Sequence, residues 1–330
     1  MLAYFLRRVA YMILTVWILS ILTFMLIQLP AGDFVDNLAS SYARTGRQLD
    51  QTQLDNLRRR YGLDQPVYVQ YFLWGTNVLQ GDFGWSFQYA QPVVTVIGDR
   101  IWLTAAISSS TLLLTYLLAI PIGVYSATHQ YSKGDYLVMS VGFLGMALPS
   151  FLLALILMYV FVNAGISVGG LLSPEYMRAP WSIGKFFNLL QHLPLPILII
   201  GTAGTAGLIR VMRATLLDEL GKQYVITARA KGLPETKLVF KYPVRVALNP
   251  IASTIGWELP AIVSGGIITE MVLDLPTTGP MLFRALLTED MYLASSLLLF
   301  LNILTVIGTF VSDIALVIVD PRIRFTQREA

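Results

Sequence analysis

The stretch ITARAKGLPETKLVFKYPVRVALNP, residues 226–250, lies between two long apolar runs and carries five basic side chains. Its Gly-Leu-Pro sequence interrupts any continuous helix. Gly232 suits the left-handed conformation that ends a helix, and Pro234 suits the first turn of the next one. The sequence therefore predicts one helix over residues 216–231, continuing from the preceding apolar run, and a second helix over residues 235–242.

The second of these helices has one apolar face, formed by Leu238, Val239 and Tyr242, and Glu235 adds a negative charge near its N-terminus. A short helix with an apolar stripe and basic flanks is suited to a groove on a partner protein. An ordinary basic loop, kept on the cytoplasmic side or touching anionic lipid, also accounts for the charge. The small side chains before the turn favour the docking interpretation, because they allow close helix packing.

The chain as a whole has the composition of an integral membrane protein. Of its 330 residues, 55% are hydrophobic and 13% are charged, and the mean hydropathy is +0.63. A soluble domain carries about 25% charged residues. The net charge of +3 gives no indication of nucleic acid binding. The absence of cysteine excludes disulfides and thiol catalysis, and His129 and His192 are too few and too far apart for a metal site.

Hydropathy predicts six transmembrane helices, each close to or above the ~20 residues that cross a bilayer. The first follows Arg7 and Arg8 and is not followed by a small-residue cleavage site, so we expect an uncleaved helix and not a signal peptide. Prolines inside later spans are expected to be compensated by neighbouring helices. The six spans are residues 9–29, 103–127, 137–163, 195–211, 251–271 and 293–311.

Basic residues set the expected orientation. With a cytoplasmic N-terminus, the inner segments hold 14 Lys and Arg in 68 residues, and the outer segments hold 9 in 121. Both termini and the opening stretch are therefore expected in the cytoplasm. The predicted organisation is an N-terminal transmembrane helix (1–30), an extracytoplasmic region (31–100) and a membrane core of five helices (101–330) that includes the cytoplasmic segment 214–250.

The region 31–100 is expected to be mostly helical, because two sets of apolar residues recur there at helical spacing. The first set is Leu54, Leu57 and Tyr61, and the second is Val67, Tyr71, Trp74 and Val78. Pro66 suits the first turn of the second helix. We expect these helices to form a small cap on the outer face of the membrane.

An enzymatic function has no support in the sequence. The chain lacks the phosphate-binding loop G-x-x-x-x-G-K-[ST], the zinc motif H-E-x-x-H and the nucleophile motif G-x-S-x-G. Asp313 stands alone near the inner end of the sixth span, whereas an intramembrane protease needs paired acids or a Ser-His couple. The sequence indicates a non-catalytic conduit that draws its energy from another protein.

The run YVITARAKGLPETKLVF…ALNP, which begins at Tyr224, resembles the cytoplasmic motif of binding-protein-dependent ABC importer permeases. It is most similar to the dipeptide, oligopeptide and nickel branch of that family. The resemblance extends over the whole chain. It includes LRRRYGLDQPVYVQYFLW at 57–74, GDFGWSF at 81–87, ALPSF at 147–151 and DPRIR at 320–324.

This resemblance implies an all-α polytopic protein with the type I importer permease fold, in the inner membrane of a bacterium or archaeon. It implies a second, paralogous permease subunit, two cytoplasmic ATPases that bind ATP and Mg in place of any cofactor on this chain, and an extracytoplasmic solute-binding protein that contacts the region 31–100. The segment around Gly232 is then expected to dock in a cleft of the ATPase. The residues expected to carry this coupling are Ala228, Arg229, Lys231, Gly232, Leu233, Pro234 and Glu235. Arg229 and Lys231 also suit solvent or lipid phosphates.

Two departures from the family pattern bear on function. Ile226 stands where the strict motif begins with Glu, a common variation in the peptide branch. Residues 276–280 read PTTGP in place of the usual P-G-x-G, which leaves the substrate open among peptides, oligosaccharides, opines and metal chelates. An autonomous secondary transporter or channel is the alternative of another class. It would be expected to bury several charges and often to show an inverted repeat, and the sequence shows neither.

Glu258 is the one carboxylate expected deep inside a span. A charge there costs ~2.5–3.5 kcal/mol on insertion scales, so it should face a cavity or a partner group. It is either a polar point on the translocation pathway or a hydrogen-bonding group facing the partner permease or a neighbouring helix. The sequence leaves these two interpretations open.

Overall fold

The computed structural model describes residues 2–28, 34–44, 50–165, 169–177 and 179–319 of the chain. Within these residues the chain is almost entirely helical. The strands β1 (Trp85–Ser86) and β2 (Gln91–Pro92) form a short antiparallel hairpin, in which Trp85 lies opposite Pro92 and Ser86 opposite Gln91. The fold is therefore the all-α architecture that the sequence predicts.

The helices follow one another along the chain with short connections. The first half contains α1 (Leu2–Ile27), α2 (Phe34–Arg44), α3 (Gln51–Tyr61), α4 (Val67–Leu79), α5 (Val93–Thr128), α6 (Lys133–Ala147) and α7 (Ser150–Asn163). The second half contains α8 (Pro174–Met177), α9 (Ile183–His192), α10 (Pro194–Leu220), α11 (Gln223–Ala230), α12 (Glu235–Lys241), α13 (Pro243–Gly265), α14 (Ile267–Val272), α15 (Thr278–Leu287) and α16 (Met291–Val319).

Several helices are long and apolar enough to span a bilayer. Four single helices in the described part of the chain meet this test, and they cover Arg7–Met25, Val93–Thr128, Ile183–Leu220 and Met291–Ile318. A bent pair, α6 and α7, makes a fifth candidate. The predicted span at 251–271 falls on α13 and α14, which are not among these candidates, so the count of six stays a prediction. The span expected at 195–211 is part of the much longer helical stretch Ile183–Leu220.

The span predicted as one helix over residues 137–163 is wrong in its geometry. Helices α6 and α7 meet at an angle of 103°. Pro149 has no N–H to donate, and its ring disfavours helical backbone at Leu148, which is extended with ψ 122°. Ser150 then begins α7, and its hydroxyl shares a 2.7 Å hydrogen bond with the hydroxyl of Thr269 at α14.

The described residues form two compact units. The first takes in residues from Met1–Thr104 and Thr277–Val306, and the second takes in residues from Ala105–Pro276 and Ile307–Ala330. These units are defined by contacts within the chain and not by position relative to a membrane. The division into residues 1–30, 31–100 and 101–330 therefore stays a prediction.

In the first unit, α4 packs against α1 through aromatic side chains. The ring of Phe24 lies 5.6 Å from that of Tyr71 and 5.5 Å from that of Trp74, measured between centroids. The Tyr71 hydroxyl shares a 2.8 Å hydrogen bond with Ser20. Trp74 is buried, and Tyr71 and Val78 pack against the same cluster. The helix expected in this segment is confirmed, and Tyr71 and Trp74 of its apolar face pack against α1, whereas Val67 of the same face is exposed.

A buried carboxylate, Asp290, ties the β-hairpin to the start of α16 in the same unit. Its Oδ2 accepts hydrogen bonds from the Ser86 hydroxyl (2.6 Å) and the Gln88 N–H (3.0 Å). Its Oδ1 accepts one from the Leu293 N–H at 3.2 Å. Burial raises the pKa of the Asp290 carboxyl, although these hydrogen bonds act in the opposite direction.

Candidate functional site

The turn between α11 and α12 has the form that the sequence predicts. Gly232 adopts a left-handed conformation with φ +78°. Its N–H donates to the Arg229 carbonyl at 3.0 Å, and the Leu233 N–H donates to the Ala228 carbonyl at 3.4 Å. This pair of hydrogen bonds is the Schellman arrangement, which satisfies two of the free carbonyls at the end of α11. Pro234 directly precedes α12, as expected.

An ion pair spans this turn. Arg229 Nε donates to Glu235 Oε2 at 3.0 Å, and Arg229 Nη2 donates to Glu235 Oε1 at 2.5 Å. The hydrogen bonds from Arg229 lower the pKa of the Glu235 carboxyl, and the same contact raises the pKa of Arg229. Both side chains are exposed. The pair therefore links the two short helices across the turn at the surface.

The direction of the apolar face of α12 was predicted wrongly. Leu238 is fully buried and Val239 is 4% exposed, and both belong to a core cluster within the chain. Ala228 belongs to the same cluster, so its side chain is not on the surface that a partner would meet. The periodicity identifies an apolar face correctly, but α10 and α13 of this chain already cover it.

The outward side of the turn is polar and basic with one aromatic ring. It is formed by the exposed residues Arg229, Lys231, Gly232, Pro234, Glu235, Thr236, Lys237 and Phe240, and we call it the exposed turn. Phe240 is 60% exposed. Leu233 is half-buried and packs on the core cluster beneath. A mostly polar turn therefore lies on an apolar base.

The base of the exposed turn is a continuous apolar core. It joins the two short helices to α5, α10 and α13, and its buried members are Ala119, Val124, Ala127, Leu208, Ile209, Met212, Leu216, Val225, Ala228, Leu238, Val239, Val244, Ala247 and Ile251. Close-packed interiors transmit displacement because they have few voids. A force applied at the exposed turn therefore acts on three long helices at once.

The single helix predicted over residues 216–231 is wrong. Helix α10 ends at Leu220, and α11 begins at Gln223 after a break at Gly221. Tyr224 donates its hydroxyl hydrogen to Glu219 Oε2 across this break. Burial raises the pKa of the Tyr224 hydroxyl, and this hydrogen bond raises it further by a smaller amount.

A buried ion pair that the sequence analysis missed holds α6 against α10. Asp135 accepts hydrogen bonds from Arg213 Nε (2.9 Å) and Arg213 Nη2 (2.8 Å), and from the Ser126 hydroxyl of α5. The Tyr131 N–H donates to Asp135 at 3.0 Å. Asp135 is 3% exposed. No spacing rule pairs residues 78 positions apart, so the sequence held no signal for this contact.

Glu258 lies on α13 and is half-buried. Its Oε2 lies 3.4 Å from the point that a Cβ on Gly204 of α10 would occupy. Among the described residues it has no hydrogen bond or ion pair. In the same part of the chain, no three His, Cys, Asp or Glu side chains lie together as metal ligands would.

The helices long and apolar enough to cross a bilayer, in the described part of the chain, define the class as an integral membrane protein. Comparison with known families agrees. Residues 119–325 match the binding-protein-dependent transport system inner membrane component family, and residues 1–108 match the N-terminal region of the corresponding membrane component. The chain belongs to this family of ABC importer permeases, which has the type I importer permease fold, and it is a multi-pass inner-membrane protein.

Curated relatives align over nearly the full length of both chains. The oligopeptide transport system permease protein AppB of Bacillus subtilis is 33% identical over 328 residues, which cover 98% of this chain and 100% of the relative. The oligopeptide permease OppB of Haemophilus influenzae is 29% identical with the same coverage. The glutathione transport system permease protein GsiC of Escherichia coli is 29% identical over 325 residues, with 98% and 100% covered.

Proposed function

We propose that this chain forms half of the translocation pathway of an ATP-driven importer for peptides or similar small solutes. A second permease subunit, paralogous to this one, forms the other half. Two cytoplasmic ATPases bind and hydrolyse ATP with Mg, and an extracytoplasmic solute-binding protein delivers the solute. This chain takes no cofactor and catalyses no reaction. The names of the relatives support peptides, since oligopeptides and glutathione share the amide backbone, and oligosaccharides, opines or metal chelates are the alternative cargo of the same machinery.

The observation that carries this proposal is the exposed turn. Gly232 and the ion pair between Arg229 and Glu235 fix its shape before any partner binds, and a preformed surface loses less conformational entropy on docking. Lys231, Lys237 and Phe240 are exposed on it. Arginine and aromatic side chains are enriched at interface hot spots, and the exposed turn presents both, as Arg229 and Phe240.

The same turn has a mechanical connection to the membrane helices. Leu238 and Val239 insert into the core shared by α5, α10 and α13. In our proposal, a movement of the docked turn passes through this core to the helices that line the pathway. We infer that ATP-driven movement enters the chain at Gly232 and reaches the membrane through this core. Both termini and the exposed turn lie in the cytoplasm in this scheme, which the distribution of basic residues supports.

Affinity purification of the chain from its native membranes in mild detergent tests the proposal. We expect a second permease and an ATPase to be recovered with it. In liposomes, the purified complex should take up solute only when ATP is present on the ATPase side of the membrane and binding protein on the opposite side. An autonomous secondary transporter would be recovered without an ATPase and would respond to an ion gradient. Recovery of no ATPase, together with gradient-driven uptake, would remove the importer proposal.

A further inference from the structure

Helix α9 turns its apolar side away from the rest of the described chain. Ser182 caps the start of the helix, and its hydroxyl accepts a hydrogen bond from the Lys185 N–H at 3.2 Å. Large apolar side chains then recur at positions i, i+3, i+4 and i+7, which share one face of a helix. Each is at least 44% exposed. These residues, which we call the apolar stripe, are Ile183, Phe186, Phe187 and Leu190.

The polar side chains of α9 lie on the opposite side and find partners within the chain. Lys185 is buried, and its Nζ donates to the Ala179 carbonyl at 2.7 Å. The Asn188 side chain accepts a hydrogen bond from the Ser173 N–H and donates one to the Ser173 hydroxyl, both at 2.9 Å. A helix that buries its lysine and exposes its phenylalanines is reversed relative to a surface helix in water. An exposed patch of this kind marks an interaction site.

The apolar stripe continues onto the membrane-spanning helix that follows. Leu193, between α9 and α10, has helical backbone angles (φ −65°, ψ −38°), and the whole stretch Ile183–Leu220 qualifies as one candidate span. Pro194 and Leu198, at i+4 and i+8 from Leu190, are also exposed, and this spacing places them on the same side. The apolar stripe is therefore continuous with the exposed side of a helix that crosses the bilayer.

Helix length places α9 at one surface of the bilayer. Residues 186–209 contain no Asp, Glu, Lys or Arg, and the exposed Arg210 is the first charged residue after them. A helix from Ile183 to Arg210 is about 40 Å long at 1.5 Å per residue. The hydrocarbon core is ~30 Å thick, and the bilayer with its headgroup regions is ~40–45 Å thick. With Arg210 at one surface, α9 therefore lies at the other.

We propose that α9 is an interfacial helix, and that its apolar stripe docks into lipid where the headgroups meet the acyl chains. This surface of the bilayer is the one opposite the exposed turn, which follows the other end of α10. Trp181, exposed just before the helix, adds an aromatic anchor at the level where tryptophan is enriched in membrane proteins. The inference rests on membrane insertion of the chain and not on the importer proposal.

The charges around the apolar stripe define the kind of lipid surface that it fits. Lys185 is the only Lys or Arg among residues 179–209, and it is buried. Interfacial helices that depend on anionic lipid carry Lys and Arg on their polar face. Burial of apolar area therefore holds α9, and zwitterionic lipid is sufficient. The second permease subunit is the competing occupant of the same face.

Spin labels on single cysteines test the proposal, because the chain has no cysteine of its own. The protein carrying Phe187→Cys, purified with its other subunits after their cysteines are replaced, is placed in phosphatidylcholine nanodiscs. Collisions of the label with oxygen, which concentrates in lipid, and with a water-soluble nickel chelate are then measured. Leu198→Cys is the reference within the span, and Glu175→Cys, at an exposed charged position before α9, is the aqueous reference.

We expect the label at position 187 to collide with oxygen more often than the label at position 175. It should collide with the nickel chelate at least about tenfold less often. A transfer cost of about 1.4 kcal/mol for the polar chelate gives this factor. Because α9 lies nearer the surface than the span, the oxygen rate at position 187 should fall between those at positions 175 and 198.

The two collision rates distinguish the possible occupants. Lipid gives a high oxygen rate and a low nickel rate, water gives the reverse, and a covering protein subunit lowers both. Low rates for both reagents, or a nickel rate equal to that of Glu175→Cys, would overturn the proposal. A lipid signal that appears only after phosphatidylglycerol is added would also overturn it, because charge would then hold the helix. If Phe187→Cys does not assemble, Ile183→Cys on the same stripe provides the same test with the same outcomes.

Discussion

Two helices of this chain end in the same backbone motif, α3 at Gly62 and α11 at Gly232. Both glycines are left-handed, with φ +67° and φ +78°, and a Cβ on either would meet open space. At Gly62 the glycine N–H donates to Arg59 and the Leu63 N–H donates to Arg58, which repeats the pattern at Gly232. In both turns the leucine that follows packs on an apolar cluster.

The two turns differ in what braces them. At Gly232 the ion pair between Arg229 and Glu235 joins the helix before the turn to the helix after it. At Gly62 the neighbouring cation, Arg58, pairs with Asp36 and Asp55, both of which precede the turn. The comparison shows that a glycine motif alone marks a helix end. The ion pair across the turn distinguishes Gly232, the turn that we propose as the docking site.

We expect the two turns to lie on opposite sides of the membrane, and this should be the largest difference between them. In single-cysteine chains, Asp64→Cys should react with a membrane-impermeant maleimide in intact cells, and Thr236→Cys should react only after permeabilisation, since the basic residues favour a cytoplasmic location for the second. Both positions are exposed. Labelling of both positions in intact cells would reverse the proposed orientation.

The cores beneath the turns are expected to differ in stability. Leu238→Ala should lower the free energy of unfolding by about 2–5 kcal/mol, because Leu238 is fully buried and its removal leaves a cavity. Leu63→Ala, at a half-buried side chain, should cost about 1 kcal/mol. Denaturation of the purified complex in detergent measures both. Equal losses would mean that Leu238 is packed no more tightly than Leu63.

Substitutions at the two glycines should affect transport differently, although they should affect stability to the same extent. A bulky charged side chain at either one imposes the same left-handed strain, about 1–2 kcal/mol. Gly232→Glu should also disturb docking and reduce ATP-dependent uptake by about 30-fold, or about 2 kcal/mol at an interface hot spot. Gly62→Glu is the matched control and should stay within about threefold. Normal uptake with Gly232→Glu would remove the coupling role from this turn.

The ion pair across Gly232 should give the smallest effect. The folded-state pKa of Glu235 is lowered by Arg229. The stabilisation is therefore complete above the unfolded value of about 4.3 and is lost as the pH falls through the lower folded value. At pH 7, Glu235→Gln should speed amide exchange in residues 229–237 by about two- to fivefold, the range of an exposed pair. Unchanged exchange there, or a similar rise around Gly62, would show that the pair does not brace the turn.

Local signals account for what the sequence predicted well. Gly232, Pro234 and the helix over residues 235–241 follow from rules that act within one or two turns of chain. The pattern through Trp74 predicted both a helix and its buried side. In each case the residues that decide the structure are close in sequence, so the sequence alone was sufficient to predict it.

The errors arose where the deciding contact is distant. Periodicity showed that Leu238 and Val239 share an apolar face, but it does not tell whether the same chain or a partner covers that face. The pair of Asp135 with Arg213 depends on how α6 packs on α10. Pro149 is compatible with a kinked span or with a sharp break, and only tertiary contacts such as that of Ser150 with Thr269 select the break.

Site-specific cross-linking tests the central claim most directly, namely that the exposed turn at Gly232 is where the ATPases dock. A photoreactive thiol reagent is placed on Thr236→Cys or on Asp64→Cys, two exposed positions that follow equivalent turns in a chain with no other cysteine. We predict an adduct with the ATPase from Thr236→Cys and none from Asp64→Cys in the assembled complex. An ATPase adduct from Asp64→Cys, or adducts only with lipid from Thr236→Cys, would contradict it.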